Sequence, residues 1–146
     1  MDLEIRDTLT GYRRYLAELH LLEADIAESS QHSSLETQNR SSFLKQQVKH
    51  VNAWMTLLSD DERFVVENHL MAGIDIPRIV ILYQERWGRE FAKSGRTIKG
   101  YQKHALQKIV AFEKQMLSLK EPIPNTLPPW SEHKSSVREQ TALILQ

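Results

Sequence analysis

The chain of 146 residues contains no cysteine. This absence excludes a disulfide framework, a thiolate nucleophile and every zinc site that is built on sulfur. No stretch approaches the roughly 18 consecutive apolar residues that a membrane-spanning helix requires. The first residues also lack the basic and then apolar layout of a signal peptide. We therefore expect a cytoplasmic protein that contacts no membrane.

The sequence also lacks the signatures of catalysis and cofactor binding. It contains no GxxxxGK[ST], GxGxxG or GxSxG motif. Its six histidines are scattered, and no two of them are four residues apart, the spacing that places two metal ligands on one helical face. The acidic residues lie mainly at helix starts and in the N-terminal segment, where capping and solvation explain them. We expect no enzymatic activity, no catalytic residue, no metal site and no cofactor.

Acidic and basic residues are unevenly distributed along the chain, although the formal net charge is zero. Residues 1–38 hold eight acidic residues against three arginines. Residues 86–120 hold only two acidic residues, Glu90 and Glu113, against nine basic ones. The nine are Arg86, Arg89, Lys93, Arg96, Lys99, Lys103, Lys108, Lys114 and Lys120. This asymmetry predicts an anionic partner for the basic segment.

Apolar residues recur at helical spacing in two N-terminal segments, residues 3–28 and residues 41–58, which predicts two amphipathic helices. Residues 29–34 between them are small and polar, so we expect a loop. The two helices form a hairpin within the chain or pair with a second copy. Each apolar seam spans fewer than the roughly 3 to 4 heptads of a firm coiled coil, which favours packing inside one domain.

Local signals divide residues 59–116 into three further helices. Ser59 and Glu62 form a capping box for a helix over residues 59–72, and Gly73 ends it. A second helix over residues 76–87 begins after Asp75 and stops at Gly88, with Pro77 tolerated in its first turn. A polar, basic connection over residues 89–95 leads to a third helix over residues 94–116.

The third helix has two different faces. The apolar side chains at Ile98, Tyr101, Ala105, Ile109, Phe112 and Met116 share one side, which we expect to be buried. The opposite side carries Arg96, Gly100, Lys103, Gln107 and Lys114, with Lys99 on its flank. Cations and amides around a glycine are typical of a helix in the DNA major groove. An ordinary surface helix with a solvated lysine face has the same pattern.

Two stretches resemble region 4 of bacterial sigma-70-type factors. LLSDDERFVVENHLMAG looks like the opening helix of that domain, and SGRTIKGYQKHALQKI looks like its recognition helix. Among such proteins the chain is most similar to small phage transcriptional regulators of the autolysin-regulatory (ArpU) type. The resemblance covers about residues 55–115. It departs from the family in the connection GREFAKSGR, which is several residues longer than the usual glycine-centred turn.

The resemblance implies an all-α protein with a helix-turn-helix DNA-binding module, encoded by a phage or mobile element. Its implied DNA-binding residues are Arg89, Lys93, Ser94, Arg96, Thr97, Lys99, Gly100, Lys103 and Lys108. Double-stranded DNA is the expected partner, and RNA polymerase and a second copy of the chain are further candidates. The alternative is an adaptor that docks on RNA polymerase or another regulator without reading DNA.

Three sections follow from these patterns. Residues 1–58 form an N-terminal helical hairpin and a candidate dimerisation region. Residues 59–120 form the helix-turn-helix domain. Residues 121–146 form a proline-rich linker, with four of the five prolines, and a short C-terminal helix.

Overall fold

The computed structural model describes residues 1–29 and 34–120, and these residues are all-α. The α-helices are α1 (Asp2–Ser29), α2 (Leu35–Thr56), α3 (Asp60–Val65), α4 (Ile76–Trp87) and α5 (Gly95–Lys120). A π-helix, Val66–Met71, continues α3, and a 3-10 helix, Arg89–Phe91, follows α4. Residues 30–33 of the predicted loop and the predicted proline-rich tail lie outside the described residues.

None of the helices in these two ranges has the length and apolarity required to cross a membrane.

Helices α1 and α2 run side by side in opposite directions. Near one end, the Tyr12 hydroxyl donates to Asn52 Oδ1 at 3.0 Å. Further along α1, the Arg40 guanidinium donates to both carboxylate oxygens of Glu18 at 2.8 and 2.9 Å. Partner positions on α2 therefore fall in number as those on α1 rise, which defines the antiparallel pairing.

Helix α2 begins six residues before the predicted start near Ser41. Ser34 occupies the N-cap, where its hydroxyl accepts a hydrogen bond from the Thr37 backbone N–H at 3.1 Å. Glu36 adds a favourable negative charge to the first turn. The first turns are almost entirely polar, so apolar periodicity alone placed the start too late.

The predicted capping box at the start of α3 is confirmed. The Ser59 hydroxyl accepts from the Glu62 backbone N–H, and the Glu62 carboxylate accepts from the Ser59 N–H. The helix then widens, because the Ala72 N–H bonds the Glu67 carbonyl five residues back. Gly73 adopts φ 73°, a left-handed conformation that suits glycine, where the chain leaves the helix.

Helix α4 has the predicted bounds. Asp75 occupies the N-cap with extended backbone, but its side chain makes no cap hydrogen bond, contrary to the expected capping role. Pro77 lies in the first turn, as predicted. Gly88 ends the helix with φ 101° and ψ 157°, a backbone conformation that is almost exclusive to glycine.

The buried apolar residues form two clusters, and α5 contributes to both. The first joins α5 to α1, α2 and the π-helix, with Ile5, Leu9, Val51, Trp54, Leu58, Val66, Ala105, Leu106 and Ile109. The second joins α3, α4 and the start of α5, with Val65, Ile79, Tyr83 and Ile98. The sequence predicted that Ala105 and Ile109 pack on the helices over residues 59–72 and 76–87. Their cluster contains Val66 of the first of these segments, and it also contains α1 and α2, whose packing against α5 was not predicted.

Residues 1–113 form one compact unit, so the predicted boundary after Leu58 runs through a shared core. Beyond Glu113, the described residues complete α5 as far as Lys120.

Candidate nucleic-acid interface

One face of α5 is exposed and basic. Ile98 and Ala105 are fully buried, whereas Arg96, Lys99 and Lys103 are exposed. Successive residues of an α-helix are rotated by about 100°, which puts Arg96 and Lys103 nearly opposite the buried residues. The structure therefore brings these two cations together on the solvent side, with Lys99 on the flank.

The cations on this side of α5 form no ion pair with any described residue. Arg6, Arg40 and Arg63 each form an ion pair with an acidic side chain. We give the name basic face to five basic residues of α5 and of the connection that precedes it. Within residues 1–29 and 34–120, by contrast, none of these five residues forms an ion pair. The basic face consists of Arg89, Lys93, Arg96, Lys99 and Lys103. All except the half-buried Lys93 are exposed. These charges are available to an external anion.

Gly100 lies at the centre of the basic face. A Cβ atom built on it meets no atom of the described residues within 4 Å, so packing against this part of the chain does not require glycine there. Glycine in the interior of a helix is less favourable than alanine by about 0.5–1 kcal/mol. Because glycine has no side chain, the basic face is flat at its centre, and the helix is less stable than it would be with alanine at this position.

Ser94 and Thr97 begin α5. The Ser94 hydroxyl accepts from the Thr97 backbone N–H at 3.2 Å and lies 3.1 Å from the Thr97 hydroxyl. This arrangement caps the first turn of the helix. Both side chains remain exposed beside Arg96.

The connection between α4 and α5 has structure of its own. After Gly88, Arg89–Phe91 forms one 3-10 turn, and Ala92 returns to extended backbone. Phe91 is 53% exposed, with Arg89 before it and Lys93 after it. The lengthened connection thus carries an exposed apolar ring, with one basic residue two positions before it and another two positions after it in the chain.

The ninth predicted DNA-binding residue, Lys108, has a partner within the protein. Its ammonium group donates to Glu62 Oε1 at 2.7 Å. The same oxygen accepts from the Ser59 N–H at 2.8 Å. His104 Nδ1 lies 2.5 Å from Glu62 Oε2 and donates to it, because an ionised carboxylate only accepts. Lys108 is therefore directed toward α3 rather than belonging to the basic face.

Glu62 is only 2% exposed and is kept ionised by these donors. Burial by itself raises the pKa of a carboxyl group. The hydrogen bonds from Lys108, the Ser59 backbone and His104 outweigh that effect and lower the pKa of Glu62 from 4.5 to about 2. The charged carboxylate thus ties the start of α3 to the middle of α5.

The sequence did not predict this contact between α3 and α5. It identified Glu62 as a helix cap but assigned it no long-range partner. One signal was present, since His104 and Lys108 are four residues apart and therefore share a helical face. Such a pair indicates a common acidic partner without showing which of the acidic residues it is.

Aromatic packing fixes α4 against α3 and α5. The Tyr83 ring lies with its centroid 4.3 Å from that of Trp87, 5.9 Å from Phe64 and 6.2 Å from Tyr101. The Tyr83 hydroxyl donates to Asp61 Oδ1 at 2.6 Å. Burial and this carboxylate raise the pKa of Tyr83 above its ordinary value. The tyrosine therefore stays neutral and serves as a hydrogen-bond donor.

Two further polar contacts of α5 were not predicted. His69 Nδ1 and the buried Gln102 Oε1 are hydrogen-bonded. The Trp54 indole N–H donates to Glu113 Oε1 at 2.6 Å. With the Glu62 contacts, they fix the rotation of α5 about its axis, which determines the direction of the basic face.

A groove of about 220 Å³ lies beside α3 and α4. Charged residues of both signs and two aromatic rings line it: Asp60, Arg63, Phe64, Glu67, Arg86 and Trp87. Over residues 1–29 and 34–120, no group of three or more histidine or acidic side chains is arranged to hold a metal ion.

Comparisons of the chain with protein-family models, with curated proteins and with solved structures give no match.

Proposed function

We propose that the chain is a sequence-specific DNA-binding transcriptional regulator in which α4 and α5 act as a helix-turn-helix module behind an α1–α2 hairpin. The observation that carries this proposal is the basic face, which has exposed cations and no acidic partner among the described residues. The resemblance to sigma region 4 is in accord with the order of these helices and remains a hypothesis.

In this proposal α5 enters the major groove. Arg96 and Lys103 lie on the side of α5 opposite the core, and their side chains can donate to guanine O6 and N7. Arg89 and Lys93 lie in the connection that leads into α5 and are suited to phosphates, which add affinity without sequence information. Lys108 has no DNA-binding role in this proposal, because Glu62 occupies its ammonium group.

The flat centre at Gly100 supports the same assignment. A helix in the major groove has to approach base edges closely, and the space above Gly100 is empty. The cap formed by Ser94 and Thr97 fixes the first turn of α5, from which Arg96 projects. In helix-turn-helix proteins the N-terminal residues of the recognition helix are those that contact base edges.

A second candidate function is that of a protein-binding adaptor. The groove beside α3 and α4 favours it, since aromatic and arginine side chains such as Trp87 and Arg86 are common at protein interfaces. RNA polymerase is the candidate partner. In an adaptor the basic face contributes no sequence recognition.

The experiment that separates these functions compares two double variants in a DNA-binding assay. We expect Arg96→Ala with Lys103→Ala to lower affinity for a selected site by roughly 30-fold or more, because two base contacts of this kind contribute about 1–3 kcal/mol each and tenfold in affinity is about 1.4 kcal/mol. The matched control is Arg13→Ala with Lys49→Ala. It also removes one arginine and one lysine that are exposed and form no ion pair among the described residues.

Equal affinities of the two double variants, with both folded, would contradict the assignment of α5 as the recognition helix. A loss confined to the α5 variant would support it, since both variants change the net charge by the same amount.

A further inference from the structure

The α4–α5 connection has a feature that helix packing does not explain. Phe91 is 53% exposed, although the second apolar cluster lies on both flanking helices. Phe64, Trp87 and Tyr101 pack against that cluster, whereas Phe91 does not belong to either cluster or their surroundings. An aromatic side chain that is half exposed still has apolar area that it can bury against a partner.

The surroundings of Phe91 indicate an anionic partner. Arg89 and Lys93 lie on either side of it in the chain, and neither forms an ion pair with a described residue. The only acidic residue of the connection is Glu90. Charge complementarity therefore favours a polyanion that also offers apolar surface, which describes the phosphates together with the sugars and bases of DNA.

The position of Phe91 favours the same partner. Phe91 lies four positions before Gly95, the first residue of α5, so it is within roughly 14 Å of the start of that helix. The first turn carries Arg96 of the basic face. A helix that puts this turn on base edges also brings the residues just before it close to the DNA.

We propose that the connection is a second DNA-contacting element, in which Phe91 makes an apolar contact with nucleotides flanking those contacted by α5. Arg89 and Lys93 hold the phosphates on either side of that contact. The proposal rests on the proposed DNA-binding function and adds to it an element that extends the contacted site. The connection is several residues longer than a short turn, and the proposal gives these additional residues a role.

The two kinds of contact differ in their response to salt. A phosphate contact releases counterions, and each one steepens the plot of log K against log[salt] by about 0.9. An apolar contact releases none. Phe91→Ala should therefore lower DNA affinity by about tenfold at every salt concentration, with an unchanged slope. Arg89→Ala with Lys93→Ala should reduce the slope by about 2.

The test is a salt-titrated binding assay on a site recovered by selection from duplex DNA, using full-length protein. The matched control is Phe43→Ala, the same substitution at a phenylalanine of α2 that is 45% exposed. Thermal unfolding checks that each variant is folded. If Phe91→Ala is destabilised, Phe91→Leu replaces it in the test. Because leucine keeps an apolar side chain, this variant should retain most of the wild-type affinity.

The outcomes separate the two proposals. If the wild-type protein shows no salt-dependent DNA binding, the proposed function fails, and this inference fails with it. If the wild type binds and the α5 variant does not, but Phe91→Ala equals Phe43→Ala, only this inference is overturned. Phe91 would then be assigned to a protein contact. A tenfold loss with unchanged slope for Phe91→Ala alone would establish the apolar contact.

Discussion

At the scale of single residues, Glu62 has more consequence for the fold than its position in the sequence suggests. It completes the cap of α3 and accepts hydrogen bonds from two residues of α5, His104 and Lys108. A buried carboxylate with these donors is stable only while all of them are in place. The side chain thereby couples the start of one helix to the orientation of another.

We expect Glu62→Gln to lower the free energy of unfolding by about 2 kcal/mol, because it removes the charge from hydrogen bonds worth about 1.5–3 kcal/mol each while keeping the side-chain shape. Urea denaturation measures the change. Glu67→Gln is the control, since Glu67 is exposed and one turn further along the same helix. Equal effects of the two substitutions would refute the role of Glu62.

The same carboxylate predicts a pH dependence. The pKa of Glu62 is about 2 in the folded protein and 4.5 ordinarily, so the unfolded state binds the proton more tightly. Its contribution to stability is therefore complete above pH 4.5 and is lost as the pH falls toward 2. We expect the stability difference between wild type and Glu62→Gln to shrink over that interval in unfolding experiments. A difference that stays constant from pH 6 to pH 2.5 would contradict the lowered pKa.

At the scale of elements, α5 combines a packed side with an exposed side, and Gly100 belongs to the exposed one. Gly100→Ala should raise the free energy of unfolding by about 0.5–1 kcal/mol, because alanine favours the helix and its methyl group meets no protein atom. If α5 enters the major groove as proposed, DNA affinity should fall, since the added methyl group would lie between the helix and the base edges. Increased stability with unchanged affinity would show that the glycine has no part in DNA binding.

Gly88→Ala is the matched substitution with the opposite expectation. Gly88 has φ 101°, a conformation that costs other residues of the order of 1–3 kcal/mol. Thermal or urea unfolding should therefore show destabilisation at Gly88 and stabilisation at Gly100. Stabilisation by Gly88→Ala would contradict the positive φ at Gly88, whereas destabilisation by Gly100→Ala would contradict the unhindered helical position of Gly100.

Local signals predicted the elements well. The capping box at Ser59 and the terminating glycines Gly73 and Gly88 are confirmed. These signals act within a few residues, where sequence spacing determines geometry. The start of α2 was wrong because the Ser34 cap precedes a stretch without apolar periodicity.

Contacts between distant segments were harder to predict. The buried positions of Ile98, Ala105 and Ile109 are confirmed, but the packing of α1 and α2 against the last two was not predicted. The bonds from Glu62 to Lys108 and from Trp54 to Glu113 join residues more than 40 positions apart. No local spacing records such pairs. The predicted exposure of Arg96 and Lys103 agrees with the structure, whereas their role in DNA binding stays a prediction.

At the scale of the molecule, the N-terminal helices and α5 share one apolar core. Leu9 of α1 is fully buried in the same cluster as Ile109 of α5. The first two helices are therefore part of the support for the basic face. Stability and the orientation of α5 should respond together to changes in α1.

We expect Leu9→Ala to lower the free energy of unfolding by about 2–5 kcal/mol, the usual cost of a cavity in a packed core. Hydrogen exchange should show amides of α1 and α5 losing protection together. The control is Leu3→Ala on the same helix, where the side chain is 69% exposed and the effect should stay within about 0.5 kcal/mol. Loss of protection in α1 alone would show that the two segments fold independently.

The most direct test of the central claim is a salt-titrated binding assay of the wild-type protein on fragmented DNA from around its own gene, with sequencing of the fragments that stay bound. The proposal predicts a shared sequence motif and an affinity that falls steeply with salt, with a slope of several units from the phosphates held by the basic face. Weak binding without a motif, and with little dependence on salt, would contradict it and favour the adaptor.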